Sequence, residues 1–97
     1  MGKNAVDIAS HVTHQDGMES GTPDVVVEEV LAVRRRLAHN VRELRGLHGL
    51  SQQELADNAK LSRSTIVRLE RMDDTVTLDT LVRLSIAFET SIALLLA

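Results

Sequence analysis

The sequence predicts a single domain built only from α-helices. Apolar residues recur every three or four positions along the stretch that ends near residue 47, which is the spacing of one helix face. Two patterns that begin helices then follow at Ser51 and Ser62. A chain of 97 residues suits one hydrophobic core, and because Phe88 is its only Phe and it has no Trp or Tyr, that core must be aliphatic.

The N-terminal segment MGKNAVDIASHVTHQDGMESG shows no sustained period and is rich in small and polar residues. We therefore expect a flexible tail over residues 1–21 and a folded domain over residues 22–97. The domain opens with Thr22 as an N-cap, Pro23 at the first helical position and Asp24 in the first turn. A first helix is predicted to begin here.

The first helix has apolar residues spaced four, three, four, four and three positions apart. These residues are Val26, Val30, Val33, Leu37, Val41 and Leu44. The pattern fits one helix that runs unbroken to about Leu47, and it fits equally well two helices that meet near Arg34. Gly46 and Gly49 loosen the end in either case.

Ser51 and Glu54 match a capping box, in which each side chain accepts a hydrogen bond from the backbone N–H of the other residue. They place the start of a second helix at Ser51. Ser62 supplies an N-cap for a third helix. Because only Lys60 and Leu61 lie between the second helix and this cap, the connection is too tight for an ordinary loop.

Charge is segregated along the chain, although its formal net value is only −3. Residues 1–33 hold one basic against six acidic residues, residues 34–71 nine against four, and residues 72–97 one against four. The segment charges are therefore −5, +5 and −3. Because the basic segment contains the closely spaced helices, the acidic total does not exclude a nucleic acid as partner.

The third helix, expected to run to about Arg71, carries its cationic residues on one side. At roughly 100° per residue, five side chains fall within an arc of about 140°. They are Arg63, Ser64, Val67, Arg68 and Arg71. The remaining side, which includes Ile66 and Leu69, is expected to pack. A charged helix face is most often merely exposed to solvent. Whether this face has a function is therefore inferred from the second helix, which precedes it in the chain.

Seven residues in and around the tight connection have the types typical of one DNA-binding motif. They are Gln52, Leu55, Ala56, Ala59, Leu61, Ile66 and Leu69. Together with LAHNVRELR before them and LDTLVRLSIAFETSIALLLA after them, they resemble the lambda-repressor-like helix-turn-helix family, the Cro and phage-repressor type also called Xre. The resemblance runs from Leu37 to Leu96. It implies a compact five-helix domain whose third helix lies in the major groove of double-stranded DNA.

The resemblance also assigns roles to single residues. Arginine can donate two hydrogen bonds to a guanine, and valine can contact a thymine methyl group. The residues expected to read bases are Arg63, Ser64, Val67 and Arg68. The residues expected to contact phosphates are Gln52, Ser62, Arg71 and Thr75. For Gln52 and Ser62, the alternative is that they only cap their helices.

Other charged residues are assigned structural roles. The resemblance implies an ion pair between Arg45 and Glu70. Such a pair fixes the geometry of the fold more than it stabilises it, because desolvation offsets much of the attraction. Four further arginines form either a solvated face or auxiliary phosphate contacts. They are Arg34, Arg35, Arg36 and Arg42.

Three positions depart from the family, which usually has glycine where this chain has Lys60, Met72 and Glu89. A left-handed backbone is unfavourable for a residue with a Cβ atom. We therefore expect a slightly reshaped turn at Lys60 and a changed angle of the third helix.

The C-terminal segment SIALLLA, capped by Ser91, has apolar residues where the family's last helix usually has acidic ones. One short helix cannot bury leucines on all sides, so we expect a homodimer. The expected interface residues are Ile86, Ile92, Leu94 and Leu95. The alternative is that they pack against the first helix or the tail. A two-fold dimer would present two recognition helices roughly 34 Å apart to an inverted-repeat operator.

The sequence thus predicts a sequence-specific transcriptional regulator, most simply a repressor, that acts in the cytoplasm. The alternatives are a protein-interaction module such as an antitoxin and the controller protein of a restriction-modification system. We expect no catalytic residues, cofactor, small-molecule ligand or membrane segment, since no matching motif occurs. The four histidines, with no cysteine and no carboxylate cluster beside them, are not expected to bind a metal ion.

Overall fold

The computed structural model describes residues 24–73 and 75–97, and these residues form an all-α fold, as predicted. The flexible tail predicted for residues 1–21 lies outside the described residues. The five helices are α1 (Val25–His48), α2 (Gln52–Ala59), α3 (Arg63–Glu70), α4 (Leu78–Phe88) and α5 (Ile92–Leu96).

Helix α1 is one continuous helix of 24 residues, which decides between the two arrangements that the sequence allowed. Its N-cap is Asp24, whose carboxylate accepts a hydrogen bond from the Val26 N–H at 2.9 Å. The prediction that Thr22 caps this helix is therefore wrong. Threonine and aspartate both cap helices well, and this helix begins directly after Asp24 rather than after Thr22.

The predicted starts of α2 and α3 are confirmed. In the capping box, Ser51 Oγ accepts the Glu54 N–H at 3.0 Å and Glu54 Oε1 accepts the Ser51 N–H at 2.9 Å. Ser62 Oγ accepts the Thr65 N–H at 3.1 Å. These side chains replace hydrogen bonds that the first turn of a helix cannot make within itself, so the short α2 and α3 have well-defined starts.

Four helices end at a residue or a neighbour with a left-handed backbone, and only one of these residues is glycine. The φ angles are 66° at Gly49, 60° at Lys60, 61° at Met72 and 56° at Glu89. After α2, the Leu61 N–H donates to the Ala56 carbonyl at 2.9 Å, the bond that closes a Schellman motif. The expected reshaping at Lys60 is therefore wrong, because the turn keeps the conformation that glycine favours.

The core lies where α2, α3, α4 and α5 meet the middle of α1. As predicted, it is aliphatic except for Phe88. Its buried residues are Leu37, Val41, Leu55, Ala56, Ala59, Ile66, Leu69, Leu84, Phe88 and Leu95. A fully buried leucine or isoleucine contributes about 1.5–3 kcal/mol relative to an exposed one, so this cluster holds the short helices in place.

The N-terminal half of α1 projects apolar residues into solvent. Residues 25–36, here named the arm, include Val25, Val26, Val27, Val30 and Leu31, all of them exposed. Burial on α1 begins at Leu37. Within residues 24–73 and 75–97, no helix is long and apolar enough to span a membrane.

Candidate nucleic-acid interface

The cationic side of α3 faces solvent. Ile66 and Leu69, on the other side of the helix, are 0% and 4% exposed and pack in the core. Arg63, Ser64 and Arg68 are consequently exposed, whereas Val67, also expected to read bases, is half-buried. The burial of one side of α3 thus leaves a polar ridge that a ligand can approach.

The junction between α2 and α3 is organised by the Ser62 hydroxyl. Besides capping α3, its Oγ lies 3.1 Å from Ser64 Oγ and 2.8 Å from Thr65 Oγ1. Ser62 is exposed, so capping leaves it accessible. The first backbone N–H groups of α3 point out of the N-terminal end of the helix, where Ser62 lies. A helix N-terminus attracts anions.

Behind this surface, Arg45 of α1 forms the expected ion pair with Glu70 of α3. Arg45 Nε donates to Glu70 Oε2 at 2.8 Å and Nη2 donates to Oε1 at 3.1 Å, which is a two-pronged geometry. The hydrogen bonds that Arg45 donates to Glu70 raise the pKa of Arg45; burial acts in the opposite direction, and the charge of Glu70 adds a smaller rise. Glu70 is only 7% exposed, so the pair fixes the end of α3 against α1.

Gln52 extends this pair to the exposed surface. Its Nε2 donates to Glu70 Oε1 at 3.1 Å, and its Oε1 accepts a long hydrogen bond of 3.5 Å from Arg63 Nη2. The amide is therefore held by a buried carboxylate on one side and lies beside a candidate base-reading arginine on the other. The sequence pattern had placed Gln52 at a helix start but gave no sign of its contact with Glu70.

Comparison with known proteins bears on this arrangement. The model of the helix-turn-helix family HTH_3 matches residues 41–95. The chain belongs to this family. The resemblance drawn from the sequence is thereby confirmed, and α2 and α3 are the two helices of the motif.

Three relatives show how far the similarity extends. The control protein C.SmaI of Serratia marcescens is 42% identical over 64 residues, which is 66% of this chain and 76% of that protein. The crystal structure of the restriction-modification controller protein C.AhdI of Aeromonas hydrophila has a TM-score of 0.61 and 32% identity, covering 64% of this chain and 94% of that one. The hypothetical transcription factor NHTF of Neisseria has a TM-score of 0.66 and 28% identity, covering 80% and 82%.

The two remaining candidate phosphate-contacting residues of this helix-turn-helix domain follow α3. Arg71 is exposed, and its Nε lies 3.6 Å from Asp73 Oδ2 in an ion pair that is open to solvent. Such a pair contributes little, so Arg71 can exchange its partner for another anion. Thr75 Oγ1 accepts a hydrogen bond of 3.4 Å from Arg34 Nη2, which ties this connection to α1.

Three of the four ambiguous arginines on α1 make contacts within the protein. Arg42 Nη1 donates to the Glu70 carbonyl at 2.7 Å, Arg36 Nε donates to the Leu96 carbonyl at 2.9 Å, and Arg34 reaches Thr75. Arg36 and Arg42 are exposed, so the two roles considered for them, a solvated face or a phosphate contact, stay open beside these contacts. These arginines satisfy carbonyl groups at helix ends, which prefer cationic donors.

Asn40 is a structural residue that the sequence analysis missed. Its Nδ2 donates to the Leu95 carbonyl at 2.9 Å and to the Ala97 carbonyl at 3.0 Å, so it satisfies the end of α5. An asparagine in the middle of a helix carries no local signal of such a contact. Only the packing of α5 against α1 brings them together.

The expected dimer residues divide into two groups. Ile86 and Leu94 are 69% and 62% exposed, and Ile92 is half-buried. Leu95, in contrast, is 0% exposed, so its assignment to an intersubunit surface is corrected: it lies on the side of α5 that packs into the core of its own chain.

A further apolar stripe on α4 was missed. Leu78 and Val82 are exposed and stand eight and four positions before Ile86, which places all three on one face of the helix. The spacing was visible in the sequence. What the sequence did not show is that this face, rather than another face of α4, remains outside the core.

The histidines show no arrangement for a metal ion within the part of the chain that the structure describes. There, no group of three or more His, Asp or Glu side chains could hold one. The ring of His48 packs edge-on against Phe88, with 5.4 Å between ring centroids. His11 and His14 lie outside the described residues.

Proposed function

We propose that this chain binds an inverted-repeat DNA operator as a homodimer and represses transcription there. Membership of the helix-turn-helix family makes it a DNA-binding regulator. The observation that carries the finer proposal is the solvent-facing polar ridge of α3, held in place by the buried Ile66 and Leu69. The proposal places the protein in the cytoplasm, with DNA as its only ligand and no catalytic step.

In this proposal, α3 enters the major groove and its N-terminal residues read base edges. Arg63 and Arg68 each present a guanidinium fork to guanine O6 and N7, and Ser64 donates or accepts one hydrogen bond. Val67 contacts a thymine methyl group with the part of its side chain that is not buried. The contact with Gln52 holds the Arg63 side chain near the groove before DNA arrives.

Phosphate contacts then set the register of the protein on the duplex. Gln52 and Ser62 stand at the N-termini of α2 and α3, where backbone N–H groups add to their side chains. Arg71 and Thr75 extend the contacts beyond the end of α3. Because capping by Ser62 and its exposure coexist, the capping role and the phosphate role are compatible.

The homodimer that we propose uses the exposed apolar residues of α4 and α5. They are Leu78, Val82, Ile86 and Leu94. Ile92, two positions before Leu94, is half-buried, and the buried Leu95 is not part of this surface. For an inverted-repeat operator, the two-fold axis through this surface has to set two copies of α3 about one DNA turn, or roughly 34 Å, apart.

A controller protein of a restriction-modification system is the second candidate function. One observation favours it: C.SmaI is 42% identical over 64 residues, and the controller C.AhdI shares the fold at 32% identity. In this candidate function the chain would use the same DNA-binding surface, so the target genes change rather than the chemistry. The antitoxin alternative has no comparable observation in its favour.

Selection of bound duplexes from a random pool, followed by affinity measurements at several salt concentrations, tests the proposal. We expect an inverted repeat to be enriched and the logarithm of the affinity to fall linearly with the logarithm of the salt concentration. Arg63→Ala should weaken binding. Arg83→Ala is the matched control, since it removes the same charge from α4, where Arg83 pairs with Asp79 at 2.8 Å. The absence of any enriched sequence, or binding that ignores salt, would instead support an interaction module.

A further inference from the structure

Arginines and a histidine gather on the side of α1 that faces away from the core. Arg35, His39 and Arg42 stand four and three positions apart, so they share one face of the helix. The buried Leu37 and Val41 lie on the opposite face. All members of this group, which also includes the neighbouring Arg36, are exposed. Arg35, Arg36, His39 and Arg42 are here named the basic cluster.

The basic cluster lines an open depression in the protein surface. The depression has a volume of about 440 Å³, and its other lining residues are Ala32, Asn40 and Ala97. No Asp or Glu side chain of the described residues lines it. Ligand sites in proteins have volumes of about 300–1,000 Å³, so a small anion or part of a larger one has room here.

The positive charge of the basic cluster is not neutralised by the part of the chain that the structure describes. No ion pair there joins any of its four members to a carboxylate. The oxygen of Ala97, at the edge of the depression, accepts its hydrogen bond from Asn40 Nδ2 at 3.0 Å. Three arginines elsewhere do face a carboxylate, and they are Arg45, Arg71 and Arg83.

Two arginines of the cluster are held in place by neutral groups, which leaves their charge uncompensated. Arg42 Nη1 donates to the Glu70 carbonyl at 2.7 Å, and Arg36 Nε donates to the Leu96 carbonyl at 2.9 Å. Most N–H groups of each guanidinium remain available to a ligand. Because these side chains are already positioned, less conformational entropy is lost when an anion binds.

Phosphate is the anion that suits this arrangement. The guanidinium fork matches the oxygens of a phosphate group, and several arginines around one depression match a ligand that carries more than one negative charge. Arg42 contacts the carbonyl of Glu70, the last residue of α3. The basic cluster therefore begins beside the end of the helix that we expect to enter the DNA groove.

We propose that the basic cluster is a phosphate-binding site, additional to the DNA-contacting residues of α2, α3 and the connection after α3. The phosphates come either from the operator backbone outside the base pairs that α3 reads, or from a free phosphorylated anion. With the DNA backbone as the source, the inference rests on the proposed function. With a free anion as the source, it does not.

Titration of the full chain, without DNA, with inorganic triphosphate at low salt tests the site directly. We expect ¹H–¹⁵N NMR spectra to show shift changes at the backbone amides of residues 32–42. Arg35→Ala removes an exposed side chain without an internal contact, so the fold should persist, and triphosphate binding at these residues should weaken roughly fivefold. Arg83→Ala, which removes the same charge from α4, is the matched control and should leave this binding unchanged.

Operator duplexes of increasing length then distinguish the two sources of phosphate. If the DNA backbone occupies the site, Arg35→Ala weakens binding to long duplexes but not to a duplex trimmed to the base pairs that α3 reads. The slope of log affinity against log salt should also fall by about 1 on the long duplexes. If a free anion occupies the site, Arg35→Ala weakens triphosphate binding and leaves DNA affinity unchanged at every length.

An Arg35→Ala variant that matches the wild type in both triphosphate and DNA binding overturns the site. Arg63→Ala, measured on the same duplexes, separates this outcome from failure of the proposed function. Loss of DNA affinity in Arg63→Ala, with none of these effects in Arg35→Ala, removes only the basic cluster. Unchanged DNA affinity in Arg63→Ala counts against the proposed reading of bases by α3 and leaves the triphosphate result to decide the phosphate site.

Discussion

Replacing Lys60 by glycine should stabilise the protein, because the backbone there has φ 60° and ψ 43°. A Cβ atom in this left-handed conformation costs about 1–2 kcal/mol. Glycine avoids that strain, but its greater freedom in the unfolded chain lowers the free energy of unfolding by about 0.4–1 kcal/mol. The net gain expected for Lys60→Gly is therefore about 0.5–1 kcal/mol. Glu89, exposed and with φ 56°, should behave in the same way.

The two substitutions end different helices, so their effects should add to about 1–2 kcal/mol in the double variant. For a domain of this size, each 1 kcal/mol corresponds to a rise in the melting temperature of roughly 4–8 °C. Met72→Gly should gain less, although φ is 61° there, because the half-buried methionine side chain is lost as well. Thermal unfolding followed by circular dichroism measures all three changes.

Lys60→Ala and Glu89→Ala are the matched controls, since alanine removes the long side chain and keeps the Cβ atom. We expect them to leave the melting temperature nearly unchanged. If alanine stabilises as much as glycine, or if glycine destabilises, the reasoning from backbone strain is refuted. The DNA affinities of Lys60→Gly and Lys60→Ala should be equal, because both lack the lysine charge and the turn already has the geometry that glycine favours.

Three further predictions concern DNA recognition, folding stability and dimerisation, in that order. Arg63→Ala should lose roughly 1–3 kcal/mol of binding free energy and relax the preference at one base pair. Gln52→Ala should weaken binding to all sequences about equally. Affinities for a panel of single-base operator variants distinguish these two outcomes. Glu70→Ala should lower the free energy of unfolding by about 2–3 kcal/mol, because the partly buried Arg45 loses its carboxylate partner, and urea denaturation would contradict this if the midpoint did not move. Leu94→Asp should abolish the α4–α5 dimer while half-site binding survives; a folded variant that still forms this contact in chemical cross-linking would exclude the position from the interface.

Local features of this protein were readable from the sequence because their physical causes are local. The capping box of Ser51 and Glu54 and the cap at Ser62 involve residues within three positions of one another, and the structure contains them. The apolar spacing along α1 likewise reflects the geometry of a single helix. The starts of α2 and α3 followed from these short-range patterns, whereas the family was predicted from the resemblance of the residues in and around the two helices to a known motif.

The tertiary structure alone decided which apolar and polar residues lie at the surface. Leu94 and Leu95 are adjacent leucines in one short helix, yet the first is 62% exposed and the second 0%, because only one side of α5 meets the core. The partners of Asn40 and Gln52 stand 55 and 18 positions away in the chain, beyond the reach of any local pattern. At Lys60, local preference argued against a left-handed residue, and the packing of α2 against α3 in the folded domain outweighed it.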